Sequence, residues 1–463
     1  MEKKTNGAEA ATAALERYNR PVPRYTSYPP ANFFGEFGER EYLEAVEASN
    51  DARERNLSFY FHVPFCPRLC HYCACNSYPM RSASEVDAYV EALHREIDLL
   101  LPHLAPDRRV AQIHFGGGTP SALPADALKR LVDRLLGRFG TIDRPEIAIE
   151  CHPGTLTLPR WKELLDAGFT RTSVGVQDFD EAVLKTVNRA PSAEPLERVF
   201  ELLRSRGVGV NLDFIYGLPG QTARSFGETI RRAAGLRPDR LVTFGYAHVP
   251  WLKKSQLLLE KAGLPETAEK RAMFDRASEI LAEAGYLRVG LDHFVLPGDE
   301  LHEALRNGRL HRNFQGYCTR RTTAQVYAFG VTGISQLETA YAQNARDVDE
   351  YVREVGEGRL PVRRGYALSP RERLTREAIE TLMCNGAIDW AELAARLGTD
   401  AASLKAATAY DPAEIARMAA DGLIRADESG LRVSEGAAPF VRYVAASLDP
   451  LMKDCSKRFS RPV

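Results

Sequence analysis

The stretch Phe59–Asn76 reads FYFHVPFCPRLCHYCACN and holds four of the eight cysteines of the chain. Its first three cysteines, Cys66, Cys70 and Cys73, have the spacing C-x3-C-x2-C. A cubane cluster takes a terminal ligand at each of its irons, usually a cysteine thiolate. Three closely spaced thiolates therefore predict a cluster whose fourth iron is open to a small chelating molecule. Cys75 lies two positions after Cys73, and we predict that it is a neighbour of the cluster and not its fourth ligand.

Two other uses of clustered cysteines are alternatives. Structural zinc is often held by four cysteines, but such sites usually combine two separated C-x2-C knuckles, and the sequence has no second knuckle. A disulfide framework is the other alternative. The remaining four cysteines are scattered, and the N-terminal residues lack the apolar segment of a secretory signal, so we expect reduced thiols. The spacing therefore favours an iron–sulfur cluster.

Size and composition are those of an ordinary globular protein. The chain has 463 residues, of which 44% are hydrophobic and 27% charged, and a formal net charge of −1. This balance gives no reason to expect nucleic acid or a membrane as a partner. No apolar run approaches the roughly 18 residues that cross a bilayer. We therefore expect a cytoplasmic protein, and we expect it to be a monomer.

Apolar strand-like segments alternate with amphipathic helical segments from residue 57 onward. The predicted strands are 58–63, 110–117, 146–151, 171–177, 208–218 and 240–249, and the predicted helices are 84–101, 124–138, 158–167, 180–188, 194–206, 225–235 and 267–284. Six βα units in sequence predict an α/β fold, a partial (β/α)6 barrel with parallel strands and right-handed crossovers. The chemistry of such barrels lies at the carboxyl ends of the strands, which is where the cysteine loop begins.

The chain is predicted to divide into an N-terminal arm or lid at 1–50, the barrel domain at 51–365 and a mostly helical, winged-helix-like domain at 366–463. Residues 286–345 are expected to complete one side of the site. The arm is rich in proline and aromatic residues, and simple surface packing is the alternative to a lid that carries Arg24, Tyr25 and Tyr28 towards an acidic, flat substrate. The nearly balanced charge of the last domain favours a cover for the barrel mouth over a DNA-binding module.

The cysteine loop resembles the signature of radical S-adenosylmethionine (SAM) enzymes, with an aromatic residue, Tyr72, before the third cysteine. Longer blocks resemble one family, the oxygen-independent coproporphyrinogen III oxidases. These blocks are PRYTSYPP at 23–30, HVPFCPRLCHYCACN at 62–76, HFGGGTP at 114–120, SVGVQDFD at 173–180, NLDFIYGLPGQT at 211–222, LDHF at 291–294, LHRNFQGY at 310–317 and YAQN at 341–344. They extend over most of the chain, and the PRYTSYP block and Cys75 favour this family over other radical SAM enzymes.

The resemblance implies one [4Fe-4S] cluster and two SAM molecules per chain. An electron from the reduced cluster would cleave SAM to a 5′-deoxyadenosyl radical, which removes a hydrogen atom from the β-carbon of a propionate. Two propionates of coproporphyrinogen III would lose CO2 and become vinyls, giving protoporphyrinogen IX in anaerobic haem biosynthesis. The implied partners are this tetrapyrrole and a flavodoxin- or ferredoxin-type electron donor.

Several polar and glycine residues near the predicted strand ends have two interpretations each. Gly116–Gly118 form either a plain tight turn or a turn that a ligand approaches closely. Glu150 ends a buried strand, where a carboxylate needs a partner, either a buried salt bridge or a ligand. Taken singly, Gln177, Arg189 and Asp213 are more often structural partners than ligands.

The resemblance assigns roles to these positions and to a few others. The residues that would bind the first SAM are Tyr60, Gly117, Gly118, Thr119 and Glu150, those for the second are Gln177, Arg189, Asp213 and Ala247, and Gln315 and Ile334 lie near both. Catalytic roles are implied for Tyr60 and Cys75. Further candidates for contacts with substrate carboxylates are His62, Arg24 and the pair Arg320 and Arg321.

Two segments depart from the family pattern, CTRRTTAQVYA at 318–328 and CHPGT at 151–155. They lie near the expected site and leave other functions open. One is a diverged radical SAM enzyme, such as a methyltransferase, a cyclopropanase or a haem-degrading enzyme. The other is a haem chaperone without catalysis. The PRYTSYP block and Cys75 favour the oxidase over both.

Overall fold

A mixed sheet of 13 strands carries the other elements in the computed structural model, which describes residues 17–453 and 455–461. Residues 1–16 of the predicted arm lie outside the described residues. The strands are β1 Gly35–Glu36, β2 Leu57–Val63, β3 Phe65–Cys66, β4 Tyr78–Pro79, β5 Arg109–Gly117, β6 Gly140–Cys151, β7 Arg171–Gln177, β8 Gly209–Tyr216, β9 Arg240–Gly245, β10 Leu287–Val289, β11 His293–Val295, β12 Leu310–Asn313, β13 Gly316–Thr319, β14 Val326–Phe329, β15 Ile334–Gln336, β16 Ala340–Asn344, β17 Val362–Ala367, β18 Ala387–Asp389, β19 Ile424–Ala426 and β20 Gly430–Val433.

The α-helices follow the strands in the alternation that the sequence predicts. They are α1 Glu39–Ala48, α2 Ala83–Leu100, α3 Ala125–Leu136, α4 Leu158–Asp166, α5 Glu181–Thr186, α6 Leu196–Ser205, α7 Ala223–Gly235, α8 Leu257–Ala262, α9 Thr267–Glu283, α10 Glu300–Arg306, α11 Arg320–Thr323, α12 Val348–Gly356, α13 Pro370–Asn385, α14 Trp390–Leu397, α15 Ala401–Ala407, α16 Pro412–Ala420 and α17 Val441–Ser447. None of the helices described is both long and apolar enough to cross a membrane.

Seven neighbouring strands of the sheet are parallel, in the order β14-β2-β5-β6-β7-β8-β9. Six of them are the predicted strands, which confirms the partial parallel barrel. The seventh, β14, pairs with β2 although it comes much later in the chain. Antiparallel strands then extend the sheet on both sides, β15, β16, β17 and β1 beyond β14, and β11 and β10 beyond β9.

The parallel strands are apolar because helices cover them. In β2 the side chains of Phe59 and Phe61 are fully buried, and Phe61 stacks on Phe115 of β5 with ring centroids 4.7 Å apart. Trp161 of α4 is buried in the same core. Strands buried in this way have near-continuous apolar sequences, which is why sequence alone locates them. The packing fixes the carboxyl ends of the strands, where the cysteine loop follows β2.

The N-terminal arm differs from the prediction of a lid over residues 1–50. Its second half belongs to the main body, because β1 pairs with β17 and Val46 of α1 is fully buried in the main core. Its first half packs on the C-terminal domain, where Tyr25 and Tyr28 are buried. The phenol of Tyr25 donates a hydrogen bond to Asp449 Oδ2 at 2.9 Å. These two tyrosines therefore do not face a substrate, contrary to the prediction.

The C-terminal domain has the winged-helix-like arrangement expected from the sequence. The helices α14, α15 and α16 are followed by the hairpin of β19 and β20, and β18 completes a sheet of order β18-β20-β19. The main sheet runs through β17 to Ala367, and α13 begins at Pro370. The break between the two bodies thus falls slightly after the predicted boundary at 365/366.

A buried carboxyl group ties α2 to the sheet. Glu96 is 2% exposed and accepts hydrogen bonds from Gly330 N at 2.8 Å, Asn344 Nδ2 at 2.6 Å and the phenol of Tyr351. Burial raises the pKa of Glu96 to about 7, and the three hydrogen bonds only partly oppose this effect. Glu96 is therefore largely protonated in the folded chain below pH 7.

We expect this group to make the fold less stable as pH rises from about 4.5 to about 7. In that interval the folded chain holds a proton that the unfolded chain has lost, and the free energy of unfolding falls by up to about 3 kcal/mol. In Glu96→Gln the fall should be much smaller, although the variant is less stable overall. Denaturant midpoints at pH 5 and pH 8 measure it, with exposed Glu91→Gln on the same helix as the control. An unchanged pH dependence in Glu96→Gln would contradict the assignment.

Candidate active site

Three joined cavities lie at the carboxyl ends of the parallel strands. We name them the cluster cavity, of about 350 Å³, the central cavity, of about 810 Å³, and the cationic chamber, of about 450 Å³. The cluster and central cavities share the lining residues Cys75, Gly117, Glu150, Phe244, His293 and Gln315. The central cavity and the cationic chamber share Arg24, Phe244, Asp292 and Arg312. A ligand in the central cavity can therefore reach both of the others.

All four cysteines of the loop line the cluster cavity, and all are free thiols. Thr119 Oγ1 donates a hydrogen bond to Cys66 Sγ at 3.4 Å, and Arg189 Nη1 lies 3.4 Å from Cys70 Sγ. Burial raises the pKa of the Cys66 thiol to about 11. Hydrogen bonds to sulfur and a nearby guanidinium favour thiolates, which are the ligands that iron–sulfur clusters require. The donor set therefore fits a [4Fe-4S] cluster held by Cys66, Cys70 and Cys73.

The sulfur ligands do not converge on one point. Among the described residues, no three His, Cys, Asp or Glu side chains are grouped as ligands of a single metal ion. A cubane cluster takes its thiolates at separate irons. The loop itself is held from outside by one short segment, in which Lys253 Nζ donates to Cys75 O, Ser255 Oγ to His71 O and Gln256 Nε2 to Tyr72 O.

Cys75 stands between the cluster ligands and the central cavity, because it lines both cavities. Its thiol is hydrogen-bonded to Cys73 and thereby lowers the pKa of Cys73 to about 6. The pKa of Cys75 itself is raised, first by this hydrogen bond and the adjacent Cys73 sulfur, then by burial. Cys75 thus lies next to Cys73, on the side of the loop that faces the central cavity.

The space around the glycine turn at the end of β5 is occupied mainly by protein groups. Gly117 has φ +114°, and a Cβ there would lie 2.8 Å from the His62 ring. A Cβ on Gly118 would lie 2.7 Å from Pro64 O and 3.0 Å from Cys66 Sγ. Gly118 N donates to Val63 O at 2.7 Å, and Gly117 N donates to Glu150 Oε2 at 3.2 Å. Glycine is needed here so that the turn can approach the cysteine loop closely.

Glu150 keeps part of its carboxylate free for a ligand. Besides the bond from Gly117 N, its Oε1 lies 3.3 Å from His114 Nε2. Burial opposes ionisation, but the hydrogen bond and charge of His114 and the Gly117 N–H together lower the pKa of Glu150. The side chain remains 42% exposed, towards the cavities that it lines. An ionised carboxylate with an open side suits an ammonium group or a ribose hydroxyl.

Five buried polar atoms that line the cluster cavity have no hydrogen-bond partner among the described residues. One is Arg171 Nη1, on a side chain whose Nε is ion-paired with Glu146 at 2.6 Å. The other four are Gln177 Oε1, Arg189 Nε, Asn211 Oδ1 and Gln315 Nε2. Unsatisfied buried groups are rare in folded proteins and need an explanation. Gln177 also has φ +71°, a conformation that non-glycine residues adopt rarely and that is common at ligand sites. The four atoms therefore indicate a polar ligand in this cavity.

Asp213 lies beside these atoms. Its carboxylate accepts hydrogen bonds from Ser173 Oγ at 2.6 Å and from Asn211 Nδ2 at 3.0 Å. Burial raises the pKa of Asp213 to about 6, and these hydrogen bonds only partly oppose the rise. A hydroxyl or ammonium group bound here would stabilise its ionised form.

All of the predicted SAM-binding residues line one of the three joined cavities. Gly117, Gly118, Thr119, Glu150, Gln177, Arg189, Asp213 and Gln315 line the cluster cavity, and Tyr60 and Ile334 line the central cavity. Ala247 is separate from the others, because it lines the cationic chamber. Its carbonyl accepts a hydrogen bond from Gln256 Nε2 at 3.2 Å, the same amide that holds Tyr72.

A short hydrogen-bonded chain links Tyr60 to the cysteine loop. His62 Nε2 lies 2.9 Å from Asn76 O, and because a carbonyl only accepts, this nitrogen carries the proton. Nδ1 of the neutral ring then accepts from the Tyr60 hydroxyl at 3.2 Å. Burial lowers the pKa of His62, so the ring is neutral. His62 is therefore not the carboxylate contact proposed from the sequence, because both its nitrogens are engaged and it carries no charge.

The other residues predicted to contact substrate carboxylates differ in their surroundings. Arg24 lines both the central cavity and the cationic chamber, as expected for a contact with an acidic substrate. Arg320 is instead ion-paired with Glu377 and Glu380 at 2.9 and 2.8 Å. Arg321 faces Glu300 at 3.6 Å, in a groove at the amino ends of the strands. Arg320 and Arg321 thus face carboxylates of the protein itself, contrary to the prediction that they contact carboxylates of the substrate.

Three residues of the site were missed from the sequence, His114, Asn211 and Arg312. His114 and Asn211 begin the blocks HFGGGTP and NLDFIYGLPGQT, and Arg312 lies in LHRNFQGY. Their place in those blocks was the available signal, but each was overlooked because neighbouring residues carried the resemblance. Arg312 is 7% exposed, and its Nε and Nη1 have no hydrogen-bond partner within the part of the chain that the structure describes.

Comparisons with known proteins agree on one family. Residues 60–233 match the model of the radical SAM superfamily, and residues 368–440 match the HemN C-terminal domain. The oxygen-independent coproporphyrinogen III oxidase of Escherichia coli is 38% identical over 455 residues, 97% of this chain and 98% of that protein. The enzymes of the same name from Paracoccus denitrificans and Synechocystis are 37% and 36% identical, over 94% and 98% of this chain and 96% and 98% of theirs.

A solved structure gives the same result. The chain resembles the structure described as coproporphyrinogen III oxidase (HemN) from Escherichia coli, a radical SAM enzyme, with a TM-score of 0.84 and 37% identity. The alignment covers 93% of this chain and 100% of that one. The similarity therefore extends through the barrel and the C-terminal domain together.

Proposed function

The chain belongs to the oxygen-independent coproporphyrinogen III oxidases, and from this premise we propose how its own residues divide the work of the reaction. The protein is a radical SAM oxidoreductase of haem biosynthesis. It converts two propionates of coproporphyrinogen III to vinyls without oxygen, which gives protoporphyrinogen IX. Each conversion removes a hydrogen atom from the propionate β-carbon, releases CO2 and passes one electron to an acceptor.

The cluster cavity holds the cofactors. Cys66, Cys70 and Cys73 would bind the [4Fe-4S] cluster, which together with SAM supplies the 5′-deoxyadenosyl radical. Thr119 and Arg189 hold two of the thiolates by hydrogen bonds to sulfur. The turn at Gly117 and Gly118, with Glu150 and Tyr60, surrounds the first SAM. Cys75 lies between the cluster and the central cavity and borders the space proposed for the reacting propionate.

A second SAM in the same cavity is supported above all by the polar atoms of Gln177, Arg189, Asn211 and Gln315 that have no hydrogen-bond partner in the described structure. Gln177, Arg189 and Asp213 present an amide, a guanidinium and a carboxyl group, which match a carboxylate, an ammonium and a ribose. Gln315 lies where the cluster and central cavities join and would contact both molecules, while Ile334 and Ala247 line the adjoining walls.

The central cavity, the largest of the three, is proposed to hold the tetrapyrrole. Large exposed apolar side chains, Leu252 at 68% and Phe314 at 37%, line it together with cationic groups such as Arg24 and Arg346. Apolar walls suit a flat macrocycle, and arginines suit its carboxylates. Tyr60, whose hydroxyl is fixed by His62, lies at the boundary with the cofactors and orients the reacting propionate.

The remaining partners are also proposals. A flavodoxin- or ferredoxin-type protein would supply electrons through the surface near Leu69, a cysteine-loop residue that is 37% exposed. The protein is also proposed to act as a monomer. The eight free thiols support work in the reducing cytoplasm.

The proposed function is tested under anaerobic conditions. The chain with a reconstituted cluster is incubated with SAM, a strong reductant, an electron acceptor and coproporphyrinogen III, and the products are identified by mass spectrometry. We expect protoporphyrinogen IX and one 5′-deoxyadenosine for each propionate converted. Deoxyadenosine without any decarboxylated product would overturn the substrate. Tight haem binding with neither product would indicate a chaperone.

A further inference from the structure

The cationic chamber has far more positive than negative charge. Among the described residues its lining includes seven lysine or arginine side chains and one carboxylate, Asp292. Asp292 is already engaged, because its Oδ1 lies 2.8 Å from His293 Nδ1. The described residues that line the chamber therefore carry an excess of positive charge.

Some of these cations have structural partners. Arg442 donates hydrogen bonds to the carbonyls of Val22, Pro23, Ser460 and Arg461. Others are held in the same way, since Arg271 faces Asp275 at 3.6 Å and Arg288 donates to Gly290 O and Leu291 O at 3.2 Å. These side chains shape the wall of the chamber.

Arg312 is different. Its side chain is buried and its guanidinium lies over the Tyr317 ring, 4.6 Å from the centroid, yet Nε and Nη1 have no hydrogen-bond partner among the described residues. A buried guanidinium with unused donors is costly unless an anion pairs with it. The fork of an arginine is the group that binds carboxylates by two parallel hydrogen bonds.

Two other cations lie around the same space with little to hold them. Arg24 makes one long hydrogen bond, from Nη2 to Gly245 O at 3.4 Å. Lys270 packs its alkyl chain over Gly217, where a Cβ would lie 2.9 Å from its Cε, and no carboxylate pairs with its ammonium group in the described structure. Arg24 and Arg312 also line the central cavity.

We propose that the cationic chamber binds a propionate carboxylate of the substrate that does not react, through Arg312, Arg24 and Lys270. This inference rests on the proposed function, since it places the macrocycle in the central cavity. A macrocycle there extends one side chain past Arg24 and Arg312 into the chamber, while another reaches Cys75 and Tyr60. The chamber would thereby fix which propionate meets the radical.

The test combines variants with an altered substrate. Arg312→Gln and Lys270→Gln are assayed with coproporphyrinogen III and with its derivative in which the two unreactive propionates are methyl esters. Binding of coproporphyrin III, the fluorescent oxidised form, is measured without turnover. For the normal substrate we expect the KM and the Kd of Arg312→Gln to rise about 10- to 100-fold, with kcat changed less than about threefold. Arg312→Lys should recover part of the loss, because the charge remains.

The esterified substrate tests whether replacing Arg312 and removing the propionate charge abolish the same interaction. The wild-type chain should bind it as weakly as Arg312→Gln binds the normal substrate, and Arg312→Gln should lose little more on esterification. Independent, multiplicative losses would overturn the inference, as would a fall in kcat with unchanged KM. If Arg312→Gln loses its cluster or helical content, the half-buried Lys270→Gln carries the same test. Exposed Arg425→Gln controls for the loss of a charge. A wild-type chain that does not convert coproporphyrinogen III would instead refute the proposed function.

Discussion

Cys66→Ala is expected to bind almost no cluster and to lose activity by at least about a thousandfold. Wild-type chain should hold about four irons after anaerobic reconstitution, because three thiolates at separate corners retain a cubane. With Cys66 removed, only Cys70 and Cys73 remain, and Thr119 loses the sulfur to which it donates. The radical chemistry belongs to the cofactors, so no slower route remains. Iron content, 5′-deoxyadenosine and protoporphyrinogen IX are measured on the same sample.

Two other cysteines make this result specific. Cys455→Ala removes a thiol that lines none of the three cavities and should keep both iron and activity. Cys75→Ala should keep the iron and slow product formation, because Cys75 contacts the cluster ligands without being one. A full cluster in Cys66→Ala, or loss of the cluster in Cys75→Ala, would show that the ligands have been assigned wrongly.

Arg189→Leu is expected to bind one SAM in place of two and to lower turnover about 100-fold. Arg189 is 8% exposed, and its Nε is one of the unpartnered atoms of the cluster cavity. Its other nitrogens donate to Gly175 O and to Tyr72 Oη. The guanidinium is thus held in place with Nε as its one donor that has no partner among the described residues, and a carboxylate can accept from it. Equilibrium dialysis with labelled SAM, on anaerobic chain loaded with cluster, counts the molecules bound.

Arg189 also touches Cys70, so its replacement could disturb the cluster. Iron content is therefore determined for each variant, and the result is used only where the cluster is intact. Arg189→Lys keeps the charge without the fork and should give an intermediate affinity for the second SAM. Arg198→Gln, an exposed change on α6, is the control. A wild-type chain that binds a single SAM at saturation would refute the second site.

Much of the barrel could be predicted because some of its strands are buried on both faces. The apolar runs of β2 and β5 stand out in the sequence, and all six predicted strands are found. The seventh parallel strand, β14, was missed for a physical reason. It is only four residues long, overlaps the end of the segment 318–328 that departs from the family pattern, and pairs with β2 across a long stretch of chain. Local periodicity carries no information about such a partner.

The same limit applies to side chains whose role depends on distant contacts. Tyr25 was expected to face the substrate, but its partner Asp449 lies at the other end of the chain. The arginine pair at 320–321 was expected to bind carboxylates, but α13 supplies Glu377 and Glu380 to Arg320. A sequence shows which residues are charged, but it does not show which of these charges are paired in the fold. Arg312 is the opposite case, because only the structure shows that this cation has no ion-pair partner among the described residues.

The hydrogen bonds of Arg442 also have a consequence for the synthesis of the protein. They join the carbonyls of Val22 and Pro23 to those of Ser460 and Arg461, and residues 459–461 line the cationic chamber. At about 5–20 residues per second, a ribosome needs roughly 20–80 s to pass from Cys75 to Arg461. During this interval the nascent chain already contains the cysteine loop, but it still lacks residues 459–461, which line the cationic chamber. Delivery of iron and sulfide to the new protein can therefore precede the closure that later shields the radical.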